Sequence, residues 1–585
     1  MLKVQTNVCR SAVNINGIWR FKTVDDGFLP VEPLKAYRLM PVPASMNDVV
    51  TEIDLREYVG KVAYETQFSC PLEKDREYRL RIGATSHKCR VYLNGMYIGG
   101  SDAAFLPIDL LLPALKEVNR LTVIIDNRLD YHTLPSGRLV NGNDLFVYDR
   151  LGKYPVAGDE KLFGKEKQII NHDFYNYTGI HRDVYIYSLP QKHIDDIIIK
   201  TAVEDDYHAV SVELKGDNAK AVYSVTDENG NIVATSETGE LYIENPHLWQ
   251  IKNAYLYTLT VRTATDCYHE KFGIRKISFD DKCLYVNDSP VYLKGFGMHE
   301  DFPIIGKGNN SAVNIRDFEL LKWINANCFR TSHYPYAEEI MDLADEYGLL
   351  VVDEVPAVGC NNWPDYTYGE NRLDDITLAL HKESLRLMVE RDKNHPCLAM
   401  VSVANEAATY EDTGREYFSK VIEYVRSLTD LPITITELTR ACEGNKVGDL
   451  VDFIGLNRYF GWYDEIGNIK AAEPLLKRDL EAYYEQFKKP IIMFEFGAEA
   501  IEGIHSLPSV AFSEEYQTDF LREYCRIFDE LPYVQGELVW NFVDFMTKQG
   551  TIRVNGNRKG VFTRERQPKS AAFYLKERWQ NKTEK

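Results

Sequence analysis

The chain has 585 residues, which is too long for a single hydrophobic core and predicts several domains. Hydrophobic residues make up 44% and charged residues 27%, as in an ordinary globular protein, and no apolar run reaches the roughly 18 residues that a membrane span needs. The net charge of −20 argues against a nucleic-acid-binding protein and means that an anionic ligand would need a local cationic pocket.

The ten cysteines are scattered singly along the chain. They form no Cys-x-x-Cys pair and no Cys/His cluster at the spacing of zinc ligands, so the sequence predicts reduced thiols and no metal site. The first ten residues contain no apolar stretch like that of a secretory signal. Both features favour a cytoplasmic protein.

Residues 1–190 predict a β-sandwich of jelly-roll type. Short runs of alternating apolar and polar residues occur at 62–68, 78–82, 90–93 and 121–126, separated by turn sequences such as Asn94-Gly95. Residues 130–168 are polar, and the pattern there indicates no particular structure.

Residues 191–275 predict a second, smaller sandwich. Further strand-like runs occur at 209–214, 221–225 and 255–261. A length of about 85 residues suits an immunoglobulin-like domain.

Residues 276–585 predict a (β/α)₈ barrel, that is, a TIM barrel. Apolar segments rich in β-branched residues alternate with amphipathic stretches such as 336–347 and 374–390, a pattern typical of parallel strands covered by helices. The eight predicted strands are 291–297, 328–332, 349–353, 398–405, 432–436, 451–457, 490–496 and 534–542.

Two carboxylates, Glu406 and Glu495, stand where two of these strands end. They are 89 residues apart, which leaves room for three βα units of roughly 30 to 40 residues each. Because the carboxyl ends of barrel strands face the mouth, both side chains are expected there. A pair of carboxyls in such a mouth predicts a glycosidase with one acid and one nucleophile.

Six motifs in fixed order add a family resemblance. They are F-G-I-R at 272–275, H-E-D at 299–301, R-T-S-H-Y-P-Y at 330–336, N-E at 405–406, N-R-Y-F-G-W-Y at 457–463 and W-N-F-V-D-F at 540–545. With the order sandwich, sandwich, barrel, these motifs make the chain similar to the family 2 glycoside hydrolases, and within them to the bacterial β-glucuronidases. The resemblance implies a retaining exo-hydrolase of β-D-glucuronides, small or oligosaccharide. It also implies a homo-oligomer, a dimer or tetramer.

The resemblance assigns roles to the two carboxylates. It implies that Glu406 is the general acid/base, with a raised pKa, and that Glu495 is the nucleophile, ionised when substrate arrives. It implies that Asn405 donates a hydrogen bond to the sugar 2-hydroxyl. The chemistry needs only these carboxylates and water, so no cofactor is expected.

Other residues match the sugar site of the family. They are Asp173, which the first sandwich lends to the mouth, and His333, Asn457, Tyr459, Tyr463 and Trp540, the last as an apolar floor under the ring. Asp353 and Glu354, at the end of the third strand, are expected to support the site.

A compact cationic loop follows the last strand. Asn557 and Lys559 match the Asn-x-Lys motif that holds the C6 carboxylate of the sugar acid in β-glucuronidases, and Arg553 matches a nearby arginine. A carboxylate entering a dry pocket needs charge-assisted hydrogen bonds, because its desolvation without a partner would cost several kcal/mol.

Three other functions remain open. A β-galacturonidase differs only in the C4 epimer of its substrate, and a β-galactosidase on the same fold would have no use for the cationic loop. A non-catalytic carbohydrate-binding protein is disfavoured because both carboxylates are present.

Overall fold

A computed structural model describes residues 1–141, 146–149, 152–155, 166–203, 208–216, 220–362, 365–441, 444–550 and 552–582. It begins with a sandwich of two β-sheets, ordered β3-β2-β5-β11-β8-β9 and β1-β17-β6-β10. The strands are β1 (Ser11–Asn14), β2 (Gly17–Val24), β3 (Arg38–Val42), β4 (Ala44–Ser45), β5 (Lys61–Phe68), β6 (Arg76–Ile82), β7 (Thr85–Ser86), β8 (Lys88–Leu93), β9 (Met96–Ser101), β10 (Ile108–Leu111), β11 (Asn119–Asp126), β12 (Gly137–Asn141), β13 (Phe146–Asp149), β14 (Gly152–Pro155), β15 (Glu166–Ile170), β16 (Gly179–Ile180) and β17 (Val184–Pro190).

The two sheets share one hydrophobic core. Trp19, Tyr64 and Val123 from the larger sheet and Leu80 and Ile186 from the smaller one belong to a single buried cluster. The apolar-polar alternation in their strands explains this, since every second side chain of a strand points to the same face. Two short helices, α1 (Met46–Val49) and α2 (Ile53–Arg56), lie between β4 and β5.

The segment 130–168 contains strands that the sequence pattern did not indicate. In it β12 pairs antiparallel with β15, and β13 pairs with β14. A third small sheet is ordered β4-β16-β7.

A second sandwich follows, with three-stranded and four-stranded sheets ordered β18-β19-β22 and β21-β20-β23-β24. Its strands are β18 (Ile194–Val203), β19 (His208–Gly216), β20 (Val222–Thr226), β21 (Ile232–Ser236), β22 (Glu240–Ile243), β23 (Tyr257–Arg262) and β24 (Cys267–Phe272). Ile197 and Val210 of one sheet share a buried cluster with Val225 and Leu259 of the other.

Eight parallel strands then close into a barrel in chain order, with the last pairing with the first. Before them comes a small sheet of β25 (Ile277–Phe279), β26 (Leu284–Val286) and β27 (Ser289–Val291). The barrel strands are β28 (Leu293–Gly297), β29 (Cys328–Arg330), β30 (Leu350–Glu354), β31 (Leu398–Asn405), β32 (Ile433–Glu437), β33 (Phe453–Asn457), β34 (Ile491–Glu495) and β35 (Val534–Val539). All eight strands predicted from the sequence are confirmed.

Helices cover the barrel. They are α3 (Ser311–Trp323), α4 (Glu338–Tyr347), α5 (Asp375–Asp392), α6 (Asp412–Arg426), α7 (Ala472–Phe487), α8 (Glu514–Glu530) and α9 (Ser570–Asn581), with a 3₁₀ turn at Ile469–Ala471. Asn310, Asp374 and Ser513 begin three of them, each side chain accepting a hydrogen bond from a backbone N–H of the first turn. Among the described residues, none of these helices combines the length and the apolar composition needed to cross a bilayer.

Candidate active site

Polar side chains converge at the carboxyl ends of the barrel strands. Arg330, Glu354, Asn405, Asn457 and Glu495 are each the last residue of their strand, and all five are buried. Parallel strands end at the same rim, so residues far apart in the chain meet there.

Glu495 is held by two donors. Arg330 donates from its Nη2 to Oε1, and the Tyr459 hydroxyl donates to Oε2 at 2.7 Å. The Nε2 of His333 lies 3.6 Å from Oε1. A cation and a hydroxyl on the same carboxylate both stabilise its ionised form.

Glu406 follows the last residue of β31. Its Oε1 accepts a hydrogen bond of 2.7 Å from Nδ2 of Asn457, which is paired with Glu495 in the neighbouring strands β33 and β34. Its φ of +53° lies in the left-handed region that residues other than glycine seldom adopt. Such conformations cluster at functional sites, where the surrounding structure holds them.

Burial raises the pKa of both carboxyls. The pKa of Glu495 rises to about 8; Arg330 opposes this rise and the charge of Glu406 adds to it. Burial also raises the pKa of Glu406, against the hydrogen bond from Asn457. The raised pKa of Glu406 agrees with the sequence prediction. The pKa of Glu495 differs from the expectation of a simply ionised group, because burial and the neighbouring carboxyl both favour a proton.

A second layer of contacts fixes His333. Its Nδ1 lies 2.7 Å from Oε1 of Glu354, whose Oε2 accepts a hydrogen bond of 2.6 Å from the Ser402 hydroxyl. Although burial alone would raise it, Arg330 and His333 hold the pKa of Glu354 below its usual range. Asp353 accepts a hydrogen bond of 3.0 Å from the Thr331 hydroxyl. Both acids therefore contact the segment that carries His333.

Trp540 forms an apolar wall of the site. Its ring stacks on that of His333 with 5.1 Å between centroids, and only 4% of the residue is exposed. Gly297 lies against it, where an added Cβ would come within 2.6 Å of the indole. The indole can approach the strand this closely only because residue 297 has no side chain.

The cationic loop after β35 enters the same site. Lys559 is buried, and its Nζ donates to the Tyr463 hydroxyl at 2.7 Å. Arg553 donates from Nη2 to the same hydroxyl at 2.7 Å and from Nε to Asp173 at 2.9 Å. Asn557 donates to Asp173 at 2.7 Å. We call Arg553, Asn557 and Lys559 the clamp.

Tyr459 connects the clamp to the carboxylate pair. Nζ of Lys559 lies 5.3 Å from the centroid of the Tyr459 ring, and the hydroxyl of that ring donates to Glu495. The rings of Tyr459 and Tyr463 lie 5.1 Å apart. A ligand that touches Glu495 is therefore within reach of a fixed positive charge.

The structure brings every predicted site residue into this network, including Asp173 from the first sandwich. Asn405 accepts a hydrogen bond of 3.3 Å from Asn457. Sequence reasoning missed Arg330, although an arginine inside a wholly buried strand is itself a signal of a buried acidic partner. It also missed Glu499, for which only its position four residues after Glu495 offered a hint.

Comparisons with known proteins agree with this geometry. Residues 277–583 match the TIM barrel domain of the glycosyl hydrolases of family 2, and residues 180–275 match a further domain of the same family. A β-glucuronidase of Paenibacillus borealis is 41% identical over 99% of this chain and 98% of its own length. The human β-glucuronidase is 36% identical over 99% of this chain and 92% of its own.

Solved structures give the same result. The β-D-glucuronidase of Dictyoglomus thermophilum superposes with a TM-score of 0.93 at 42% identity, covering 100% of this chain and 99% of that one. The Ruminococcus gnavus enzyme in complex with D-glucuronic acid superposes with a TM-score of 0.89 at 36% identity, covering 99% of each chain. The chain is a member of the glycosyl hydrolases of family 2.

Proposed function

We propose that this protein is a β-glucuronidase that removes terminal β-D-glucuronic acid from small-molecule or oligosaccharide glycosides with retention of configuration. The observation that carries the proposal is the position of Lys559. This residue is buried, and its Nζ lies 5.3 Å from the centroid of the Tyr459 ring. The hydroxyl of Tyr459 in turn donates a hydrogen bond to Glu495. A sugar whose anomeric carbon meets Glu495 would present its C6 group to a positive charge. The names of the relatives support the same substrate.

In the proposed mechanism Glu495 is the nucleophile and Glu406 the acid/base. In the first step a Glu495 oxygen bonds to the anomeric carbon, the bond to the aglycone oxygen breaks, and Glu406 gives that oxygen its proton. In the second step Glu406 takes a proton from water, the water oxygen bonds to the anomeric carbon, and the bond to Glu495 breaks. After the second step Glu406 is again protonated and Glu495 is again an ionised carboxylate.

The contacts support this division of roles. Two interacting buried carboxyls titrate as a pair, so the site is active while the pair holds one proton. Arg330 and Tyr459 contact Glu495 directly, whereas a neutral amide contacts Glu406. We therefore assign the negative charge to Glu495 and the proton to Glu406.

The other residues position the sugar. Asn405 lies at the end of β31 beside the acid, and we assign it the hydrogen bond to the sugar 2-hydroxyl, an interaction that strengthens in the transition state. Trp540 and His333 supply a flat surface against the ring. Asp173 offers a carboxylate oxygen to a sugar hydroxyl while Arg553 and Asn557 hold it in place.

Removing the charge of Lys559 should weaken the preference for uronide substrates. In Lys559→Ala, the C6 carboxylate loses a charged hydrogen-bond partner, which costs about 2 kcal/mol, or roughly a 30-fold fall in kcat/KM. The test compares p-nitrophenyl β-D-glucuronide, β-D-galacturonide and β-D-galactoside with the parent and the variant. We expect the glucuronide to lead for the parent and the loss to be confined to the two uronides.

A matched control removes the neighbouring positive charge. Arg558 contacts Asp544 at 3.3 Å and is not part of the clamp, so Arg558→Ala should change all three rates by the same factor. If the galactoside is the best substrate, or if Lys559→Ala alters all three equally, the protein is not a uronidase. A leading galacturonide would instead favour the C4 epimer as substrate.

Removing the hydroxyl of Tyr459 should shift the pH dependence of kcat/KM. Its hydrogen bond favours ionised Glu495, so Tyr459→Phe raises the pKa of Glu495 further. The acidic limb of kcat/KM, where Glu495 gains a proton, then moves to higher pH by about one unit. Tyr347→Phe removes a similar bond to Glu319 at the surface and should leave the profile unchanged. An unshifted acidic limb in Tyr459→Phe would refute the assignment.

We also propose a cytoplasmic homo-oligomer, a dimer or tetramer, with domains at 1–190, 191–275 and 276–585. The family likeness supports the assembly, and the nine cysteines that the structure describes, all unpaired, support a reducing compartment. Light scattering of the purified protein tests the assembly: a mass close to one 67.4 kDa chain would contradict it.

A further inference from the structure

Glu499 is a buried carboxylate that the catalytic steps do not use. It lies four residues after Glu495 in the segment that follows β34, and it is fully buried. Its Oε1 accepts hydrogen bonds from Nη1 of Arg553 at 2.5 Å and from Nζ of Lys559 at 3.4 Å. Its two partners are therefore both cations of the clamp.

The second oxygen of Glu499 leaves the two clamp cations as the hydrogen-bond partners of this carboxylate among the described residues. Within the described part of the chain, Oε2 has no hydrogen-bond partner, and no backbone N–H donates to either oxygen. A buried carboxylate with an open oxygen is costly unless a charge compensates it. Among the residues that the structure describes, the salt bridges of Glu499 are those to the clamp cations Arg553 and Lys559.

The backbone fixes the distance between Glu499 and the clamp. The Ala500 N–H donates to the Arg558 carbonyl at 3.0 Å. Nε2 of Gln517 donates to the carbonyls of Ala498 and Lys559 at 3.0 and 3.2 Å. The residues on both sides of Glu499 are thus tied to the loop that carries Lys559.

Side chains of the protein balance the positive charges of the clamp. Arg553 and Lys559 face two carboxylates, Asp173 and Glu499. A buried ammonium without a counter-charge is energetically unfavourable. The two carboxylates contact different parts of the clamp. Asp173 accepts hydrogen bonds from Arg553 and Asn557. Glu499 accepts the hydrogen bond from Lys559.

We infer that Glu499 is a positioning residue that sets the preference for a uronic acid by holding Lys559 and Arg553 as fixed charges before substrate binds. This inference rests on the proposed function. Glu499 acts through the clamp and touches no reacting atom. The segment that carries the nucleophile thereby also carries the counter-charge that prepares the specificity pocket.

The test measures a ratio of two substrates rather than a single rate. The β-D-glucoside has the same ring as the β-D-glucuronide but a hydroxymethyl group at C6, so fold damage lowers both rates alike. Glu499→Gln keeps the shape and removes the charge. We expect the ratio of kcat/KM for the p-nitrophenyl glucuronide to that for the glucoside to fall by about tenfold or more, mainly through KM.

Two further variants test whether the effect depends on the charge at position 499. Glu499→Asp keeps the charge one methylene farther from Lys559, so its ratio should lie between those of the parent and the glutamine variant. Glu502→Gln makes the same change three residues away, at a half-exposed side chain 4.0 Å from Arg558, and should leave the ratio unchanged. Should Glu499→Gln fail to fold, a ratio for Glu499→Asp equal to that of the parent overturns the inference.

The outcomes separate this inference from the proposed function. If Glu499→Gln lowers kcat/KM equally for both substrates, the ratio is unchanged and the role of Glu499 is overturned. Lys559→Ala can still lower the ratio in that case, which would support the clamp. If the parent itself prefers the glucoside, the proposed function fails first.

Discussion

Replacing Glu495 with alanine should lower kcat for p-nitrophenyl β-D-glucuronide by at least about 10⁴-fold, in the range seen when the nucleophile of a covalent mechanism is removed. The variant has no carboxylate to bond to the anomeric carbon. Arg330 and Tyr459 lose their common partner but still face the resulting space. Binding of D-glucaro-1,5-lactone, measured by calorimetry, checks that the site has kept its shape.

A small external anion should restore part of the lost activity. Azide can enter the space left by the side chain, where Arg330 supplies a positive charge, and can attack the anomeric carbon in place of Glu495. Because only one displacement then occurs, the product is the α-glucuronosyl azide, which nuclear magnetic resonance identifies. Glu495→Gln fills the same space and should not respond to azide. Substantial activity in Glu495→Ala without azide, or a β-configured azide product, would contradict the assignment.

Replacing Glu406 with glutamine should have the second-largest effect, and its size should depend on the leaving group. General acid catalysis contributes roughly 10²- to 10⁴-fold. An alkyl glucuronide, whose leaving oxygen needs a proton, should lose the full factor in kcat/KM. p-Nitrophenolate leaves without a proton, so the p-nitrophenyl substrate should lose much less. Equal losses on both substrates would refute the role of Glu406 as the acid.

The pH profile gives Glu406 an independent check. The parent requires the pair to hold one proton, so kcat/KM should fall at low pH as Glu495 is protonated and at high pH as Glu406 is ionised. Since burial raises the pKa of Glu406, the alkaline limb should lie at higher pH than the ionisation of an ordinary glutamate. Glutamine at 406 cannot ionise, so the variant should keep the acidic limb and lose the alkaline one.

Much of the fold could be predicted from the sequence because it depends on local patterns. The eight barrel strands are short apolar runs, and each is wholly or almost wholly buried in the structure. Their periodicity and spacing follow from helices on one side and a packed core on the other, which is a property of every βα unit. The segment 130–168 carries no such pattern, and its two strand pairs could not be predicted.

The sequence by itself also determined where the two glutamates stand. A residue that ends a buried parallel strand must lie at the barrel mouth, so Glu406 and Glu495 could be brought together without knowing any contact. The clamp residues Asn557 and Lys559 were found by their likeness to a family motif.

Only the tertiary structure decided how these groups are charged and held. Asp173 meets Arg553 across 380 positions of the chain, and Arg330 meets Glu495 across 165. The rise of the pKa of Glu495 to about 8 depends on its burial and on nearby charges. Coulomb energies and desolvation depend on distances in space and on the exclusion of water, and neither quantity can be read from the order of residues.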